Sequence, residues 1–147
     1  MRHWGVETIQ IERPRVRQLR RRTVAAVVVL GLLAAAAMFS YARINSPSAV
    51  AQRYVVATAE PGDRDALSGV VDSPGGTSAT EILGHVHGQV RTAPVVISRV
   101  TVADGETPSM KYVVVDGTSD GTPFTTGVTL LSQQSGLVWR VSAEWAP

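Results

Sequence analysis

Residues 23–42 read TVAAVVVLGLLAAAAMFSYA and contain no charged side chain, while Arg20, Arg21 and Arg22 stand directly before them. A helix rises about 1.5 Å per residue, so about 20 apolar residues cross a bilayer core roughly 30 Å thick. The stretch therefore predicts one transmembrane helix. It divides the chain into a tail of residues 1–22, a helix of residues 23–42, and a domain of residues 43–147 that is long enough to have its own core.

Charge is distributed unevenly on the two sides of this helix. Residues 1–22 hold seven Arg and two Glu, a net charge of +5, whereas residues 43–147 hold six Arg, one Lys and ten acidic residues, a net charge of −3. Arg and Lys favour the cytoplasmic side of a membrane segment. We therefore expect a single-pass protein of the cell membrane, with a cytoplasmic N-terminus and the C-terminal domain outside.

The basic tail indicates contact with a membrane surface more than contact with nucleic acid. Its arginines can rest on anionic lipid headgroups, which attract each basic residue by about 1 kcal/mol. The residues expected to make this contact are Arg13, Arg15, Arg17, Arg20, Arg21 and Arg22. Because the basic charge belongs to the tail, the domain itself is not expected to bind nucleic acid.

Two other interpretations of the leading residues stay open. Ser40-Tyr41-Ala42 fits a small-x-small cleavage site, so residues 1–42 could be a signal peptide that is removed. Arg21-Arg22-Thr23-Val24 has the paired arginines of a twin-arginine signal. The length of the basic tail and of the apolar run favours a permanent anchor.

Helix signals dominate the first half of the domain. Ser46 as a cap and Pro47 at a first helical position mark one helix start, and Glu60-Pro61-Gly62 marks an end. Helices are predicted over Pro47–Ala59, from the Asp63 cap to about Val71, and as a short third helix from the capping-box pair Ser78 and Glu81.

Extended segments fill the second half. Strands are predicted at Val95–Val102, Lys111–Val115, Thr125–Leu131 and Leu137–Ala143, and Gln89–Arg91 is a candidate for an earlier strand. Short turn-rich segments between neighbouring strands indicate an antiparallel meander. Helices first and strands afterwards favour an α+β fold, with two or three helices packed on one face of a curved sheet of about four strands.

This layout resembles the nuclear-transport-factor-2-like (cystatin-like) cone. The residues that carry the resemblance are Ala49–Val56 running into Gly62–Leu67, which are similar to its opening helices, and Gly136–Val141, similar to its last strand with Trp139 closing the core. A single membrane helix ahead of such a domain resembles small bacterial envelope proteins. Two groups fit: membrane proteins associated with mammalian-cell-entry lipid transporters, and bitopic subunits of conjugation and type IV secretion systems.

The resemblance implies a non-catalytic accessory or assembly subunit of an envelope transport, secretion or conjugation complex. Its partners would be membrane lipids and other envelope membrane proteins, and Trp145 is the candidate partner contact. The alternative is a domain that binds a small hydrophobic ligand or lipid in its cone cavity. Residues expected to line that cavity are Tyr54, Leu67, Val96, Val100, Tyr112 and Val113.

Metal-binding signals are weak. The chain has no Cys, which excludes disulfides and thiolate metal sites. His85 and His87 would point the same way in a strand, but they supply only two metal ligands, and the flanking Gly84 and Gly88 favour an exposed loop with solvated or interface histidines. Asp116–Gly121 has the first oxygens of a calcium loop, yet Gly127 stands where the bidentate Glu belongs, so a hairpin turn is the better interpretation. We expect no metal and no cofactor.

Catalytic signals are equally weak. An isomerase-like enzyme of this fold would need a carboxylic acid in apolar surroundings. The acids Asp63, Asp65, Asp72 and Glu81 stand in predicted loops or caps, and only Asp104 and Asp116, at strand ends, have a candidate inward position. Trp145 either packs back on the sheet or presents itself to a partner, and it would suit a partner contact if it stood beside Glu144 at an exposed edge. The sequence therefore favours a protein that is not an enzyme.

Overall fold

The computed structural model of the protein describes residues 15–59, 63–72, 78–133 and 136–147, with backbone alone for residues 15–22. In chain order the elements are α1 (Arg15–Ile44), α2 (Pro47–Ala57), α3 (Arg64–Val70), α4 (Ala79–His85), β1 (Val95–Asp104), β2 (Met110–Ser119), β3 (Thr122–Gln133) and β4 (Val138–Trp145). One compact unit ends at Phe39, and Ser40–Pro147 form a second. The predicted α+β class is confirmed.

The first helix, α1, contains the whole predicted apolar segment. Between Thr23 and Ile44 it is long and apolar enough to cross a bilayer, and none of this span is buried within the protein. The helix begins at Arg15, so residues 15–22 of the predicted tail are also helical. An apolar surface of this length is the kind that lipid covers, because exposing it to water is unfavourable.

Side chains of the domain cap the end of α1. Only Asn45 and Ser46 separate α1 from α2. Arg53 Nη2 donates to the carbonyl oxygen of Ile44 at 2.8 Å, and Asn45 Nδ2 donates to that of Tyr41 at 3.2 Å. These bonds satisfy carbonyl groups that the last turn of a helix leaves without a helical partner.

The three short helices begin at the predicted caps. Ser46, Asp63 and Ser78 each accept a hydrogen bond from the backbone N–H three residues later. Glu81 returns the bond, because its carboxylate accepts from the Ser78 N–H at 3.2 Å and completes the predicted capping box. Local sequence signals therefore fix where each helix starts.

The four strands form one antiparallel sheet in the order β1-β2-β3-β4. Asp120 and Gly121 alone connect β2 to β3, and their φ angles of 48° and 77° fit a type I′ hairpin. The turn predicted over Asp116–Gly121 is therefore too long, since Asp116 to Ser119 belong to β2. Gln89–Arg91 was predicted wrongly as a possible strand, because the Arg91 N–H bonds to the Thr58 carbonyl after α2 and not to a strand.

The core lies between the helices and one face of the sheet. Helix α2 crosses this face and contacts all four strands. Side chains with at most 1% of their surface exposed come from every layer: Val50, Tyr54, Val55, Leu67, Ile82, Val113, Val115, Val128, Leu130 and Val141. Trp139 packs against them from a partly buried position. The interior of the domain is therefore filled by its own side chains.

A β-bulge in β4 changes which side chains face this core. Leu130 pairs with Val141 while Thr129 pairs with Ala143, which leaves Ser142 as an extra residue. Because of this extra residue, Val141 and Glu144 face the same side although they are three positions apart. Strict alternation from Val141 would point Glu144 away from the core.

The two edges of the sheet differ. On the β4 edge, Val71 forms a parallel bridge with Val141, and the Val86 carbonyl accepts the Glu144 N–H at 2.7 Å. On the β1 edge, no strand among the described residues pairs with the outer side. Val96 and Val102 of β1 are exposed, so this edge is open to another chain.

Candidate functional site

A group of five polar side chains, which we call the polar cluster, lies inside the domain. Its members are Tyr54, Thr58, Arg91, Thr126 and Glu144, all buried. At its centre Arg91 Nη2 forms an ion pair with Glu144 Oε1, and these two side chains are only 6% and 2% exposed. The cluster joins α2, the segment before β1, β3 and β4, which are far apart in sequence.

The Glu144 carboxylate has a complete set of hydrogen bonds. Its Oε2 accepts from the Tyr54 hydroxyl at 2.7 Å and from the Gln89 N–H at 3.0 Å. Its Oε1 accepts from Arg91 and, at 2.8 Å, from the Thr126 hydroxyl. A carboxylate has about four acceptor positions, so these four donors leave none for a substrate.

The Arg91 guanidinium is equally well surrounded. Beyond the ion pair, its Nη1 donates to Thr58 Oγ1 at 2.8 Å and to the Gln89 carbonyl at 3.2 Å. Its central carbon lies 4.9 Å from the centre of the Phe124 ring, at cation–π distance. Among the described residues no buried polar side-chain atom lacks a hydrogen-bond partner. The buried positive charge of Arg91 is thus compensated by the Glu144 carboxylate and by hydrogen bonds.

Ionisation of the cluster follows from these contacts. Burial opposes the charged form of Glu144, but hydrogen bonds from Arg91, Tyr54 and Thr126 and the charge of Arg91 outweigh it, so the pKa of Glu144 is lowered. Burial, together with the Glu144 charge, raises the pKa of Tyr54. Glu144 is therefore an anion and Tyr54 a neutral donor. An acid with a lowered pKa and no open acceptor position is poorly suited to abstract a proton.

The Glu144 side chain does not lie at an exposed edge, because the bulge at Ser142 turns it inward. Asp104 and Asp116, the two acids with a candidate inward position, do not face the interior of the domain. The Asp104 side chain is 88% exposed, and its hydrogen bond and ion pair with Lys111 lower its pKa. Asp116 accepts from the Thr125 hydroxyl at 2.8 Å, an exposed contact. Ser142 and its neighbours Val141 and Ala143 include no Gly or Pro, so the sequence gives no clear sign that the bulge turns Glu144 inward.

A groove with a volume of about 620 Å³ lies on the outside of the domain, between α2, α3 and β1. Its apolar surface comes from Val56, Ala57, Ala66, Val70 and Ile97. Its polar margin comes from Gln52, Arg53, Asp63 and Asp65, and Gly69 also lines it. This combination of an apolar surface with a few charged groups is typical of sites for small amphipathic ligands.

The six predicted ligand residues occupy different parts of the domain. Tyr54, Leu67 and Val113 are fully buried in the core, and Val100 packs against it. Val96 is 59% exposed, and Tyr112 contacts Trp145. None of the six lines the groove.

Trp145, the predicted partner contact, is 36% exposed. Its indole lies against Gly127, where an added Cβ would overlap the ring. The Tyr112 ring meets it edge-on, with 6.3 Å between ring centres and 89° between ring planes. Trp145 is thus a half-exposed aromatic side chain held in a defined position, as residues at interface hot spots often are.

The two histidines are exposed, as the flanking glycines indicate, and they do not form a pair on one strand. His85 is the last residue of α4, and His87 has a positive φ of 57°, so the two do not share one face of a strand. Both are exposed. In the part of the chain that the structure describes, no group of three or more His, Cys, Asp or Glu residues could hold a metal ion.

The predicted membrane-surface arginines lie at the start of the chain. Arg15, Arg17, Arg20, Arg21 and Arg22 belong to the first turns of α1. Arg13 lies outside the described residues. Their contact with lipid stays a prediction.

Comparison with known proteins gave no match. No family model, no curated protein and no solved structure matches the chain. The resemblance to nuclear-transport-factor-2-like envelope proteins therefore stays a prediction, and the function is inferred from the geometry of the protein itself.

Proposed function

We propose that this protein is a membrane-anchored, non-catalytic accessory or assembly subunit of a bacterial envelope transport, secretion or conjugation complex. The observation that carries the proposal is an exposed apolar helix, Thr23–Ile44, joined by two residues to a domain with a filled interior. Such an anchor holds the domain at a membrane surface and raises its effective concentration for other membrane proteins. The Arg-rich tail favours a cytoplasmic N-terminus and an external domain.

The non-catalytic assignment is supported by the state of Glu144, the one buried acid among the residues that the structure describes. An enzyme of the isomerase type would use an interior carboxylate as a base. All acceptor positions of Glu144 are occupied by Tyr54, Gln89, Arg91 and Thr126. These contacts favour a structural role for the carboxylate.

The assembly role is supported by two surfaces that suit a protein partner. The outer edge of β1 has no paired strand among the described residues and exposes Val96 and Val102. An extended segment of a partner could add to such an edge through main-chain hydrogen bonds. The half-exposed Trp145 provides an aromatic side chain for a second contact.

The alternative of a ligand inside the cone has less support. Three of its lining residues, Tyr54, Leu67 and Val113, have no exposed surface. Val96 is exposed to solvent. Core side chains occupy the space that the ligand would need.

Site-specific photocrosslinking tests the assembly role. A photoreactive amino acid replaces Val102 on the β1 edge, and a matched variant carries it at exposed Thr80 of α4. After irradiation of bacterial cells, we expect the Val102 variant to form an adduct with an envelope membrane protein and the Thr80 variant to form none. A chain that forms no adduct at Val102 and migrates alone in mild detergent would contradict the proposal.

A further inference from the structure

We propose that the groove between α2, α3 and β1 binds a membrane phospholipid whose headgroup carries both a phosphate and an amine, such as phosphatidylethanolamine. The inference rests on the proposed anchoring of α1 in a bilayer. It concerns a site on the outside of the domain, separate from the interior that the core side chains fill.

The position of the groove follows from one side chain. Arg53 lines the groove, and its Nη2 also donates to the carbonyl oxygen of Ile44 at 2.8 Å. Ile44 is the last residue of the apolar span. In the anchored protein Ile44 lies where hydrocarbon gives way to headgroups, because the span ends there. Arg53 and the adjoining margin of the groove therefore lie at headgroup level.

The shape of the groove fits part of a lipid. Its volume of about 620 Å³ falls within the range of roughly 300–1,000 Å³ common for small-molecule sites. Val56, which is 51% exposed, and the partly buried Ala66 and Ile97 give the groove an apolar surface. No other part of the described chain covers this surface completely. The first part of an acyl chain would cover these side chains and remove their surface from water.

The charges of the groove select the headgroup. Arg53 uses Nε and Nη2 in hydrogen bonds to backbone carbonyls, and its Nη1 has no partner among the described residues. A guanidinium nitrogen in this position can donate to a phosphate oxygen.

The acidic margin complements the amine of the same headgroup. Asp63 and Asp65 also line the groove, and the Asp65 side chain is 93% exposed. Its ion pair with Arg64, at 3.6 Å, lies in solvent and is weak. Among the described lining residues, one cation and two carboxylates suit a headgroup that carries both signs of charge and disfavour a purely anionic one.

A pair of glycine substitutions tests the site. Gly69 lines the groove, whereas Gly84 lies in α4 outside it, and a Cβ added at either glycine meets no atom within 4 Å. Leu at either position also suits a helix better than Gly. Gly69→Leu therefore fills the groove without unfolding the domain, and Gly84→Leu is its matched control.

The full chain is reconstituted in phosphatidylcholine vesicles that contain a small fraction of phosphatidylethanolamine with a photoreactive acyl chain. After irradiation, labelled peptides are identified by mass spectrometry. We expect label in α1 and in residues 47–70 of the parent and of Gly84→Leu. In Gly69→Leu the label in residues 47–70 falls about tenfold, which corresponds to a loss of about 1.4 kcal/mol of binding.

The outcomes separate the groove from the anchor. Label in α1 without label in residues 47–70, or equal labelling of Gly69→Leu and Gly84→Leu, would overturn the lipid site and leave the anchor intact. Equal labelling of the groove by a matched phosphatidylglycerol probe would also overturn it, because the carboxylates should disfavour that anion. Absence of label in α1, with release of the chain by alkaline carbonate, would overturn the anchor and the site together.

Discussion

At the scale of single residues, the Glu144 side chain connects four parts of the domain that are far apart in sequence. It accepts hydrogen bonds from α2, from the segment before β1 and from β3, while it belongs to β4. A buried charge is tolerated only when it is paired and hydrogen-bonded, because leaving water is costly. The stability of the domain should therefore depend strongly on keeping Arg91 and Glu144 together.

Removing one partner of this pair should be costly. Glu144→Gln leaves the Arg91 charge buried without its counterion, and we expect the free energy of unfolding to fall by about 3–5 kcal/mol. Thermal or urea unfolding of the full chain in mild detergent, followed by tryptophan fluorescence, measures the change. Glu106→Gln, at an exposed position, is the control and should change stability by no more than about 0.5 kcal/mol.

The double variant Arg91→Met/Glu144→Met separates pairing from packing. Apolar replacement of both members of a buried pair is often close to neutral, so we expect the double variant to be more stable than the sum of the two single changes implies. Strict additivity of the two single effects would show that Arg91 and Glu144 are not coupled and would contradict this account of the cluster.

Acid should weaken the domain through the same side chain. The pKa of Glu144 is lowered in the folded protein. The ionised carboxylate therefore stabilises the fold fully above the unfolded-state pKa of about 4.3, and this stabilisation is lost as pH falls through the folded-state pKa. We expect the free energy of unfolding to decrease as pH falls below about 5, and the difference between the parent and Glu144→Gln to shrink over that range. A difference that stays constant down to the acid limit would contradict the assignment of this pKa shift.

At the scale of elements, the bulge in β4 decides which residues enter the core. Leu130 pairs with Val141 and Thr129 pairs with Ala143, so Ser142 is the one residue between them without a partner on β3. Without Ser142, side chains on the two sides of this point would alternate regularly between the two faces of the sheet. Deleting Ser142 should restore a regular ladder and keep Glu144 facing inward. We expect this deletion variant to fold and to keep the fluorescence of the partly buried Trp139 unchanged.

Deleting Arg140 is the matched control. Arg140 lies in the regular part of the ladder, so its loss moves either Trp139 or Val141 off the core face. We expect this variant to lose its cooperative unfolding transition. Equal stability of the two deletions would mean that the bulge at Ser142 does not set the direction of Glu144.

Elements with local signals could be predicted from the sequence, and those set by tertiary contacts could not. Ser46, Asp63 and Ser78 cap the helices as expected, since a cap is decided within a few residues. The Asp120-Gly121 turn has a local signature, although the predicted turn was too long. The bulge at Ser142 has no such signature, because it depends on how β4 aligns with β3.

The candidate sites were harder to predict for the same reason. The Arg91–Glu144 contact joins residues 53 positions apart, and neither residue stands in a pattern that marks a buried charge. The groove combines side chains of α2, α3 and β1, whose relative placement comes from packing on the core. Spacing along the chain carries little information about such contacts, so the predicted ligand residues lie elsewhere.

At the scale of the whole molecule, both proposed roles of the domain depend on α1 as a permanent anchor. The span Thr23–Ile44 is exposed along its length, and Arg53 caps its last residue from within the domain. The proposed partner contacts and the proposed lipid site both require that α1 holds the domain at the membrane. Loss of the anchor would leave a compact domain with neither role supported.

Cysteine accessibility in intact cells tests the anchor most directly, because the chain has no Cys of its own. Single cysteines replace Gly5 in the tail and exposed Thr122 in the β2–β3 hairpin, and cells with a permeabilised outer envelope are treated with a membrane-impermeant maleimide. We predict a full-length protein in the membrane fraction, labelled at residue 122 and not at residue 5. A soluble, labelled fragment that lacks residues 1–42, or label at residue 5 alone, would contradict the account.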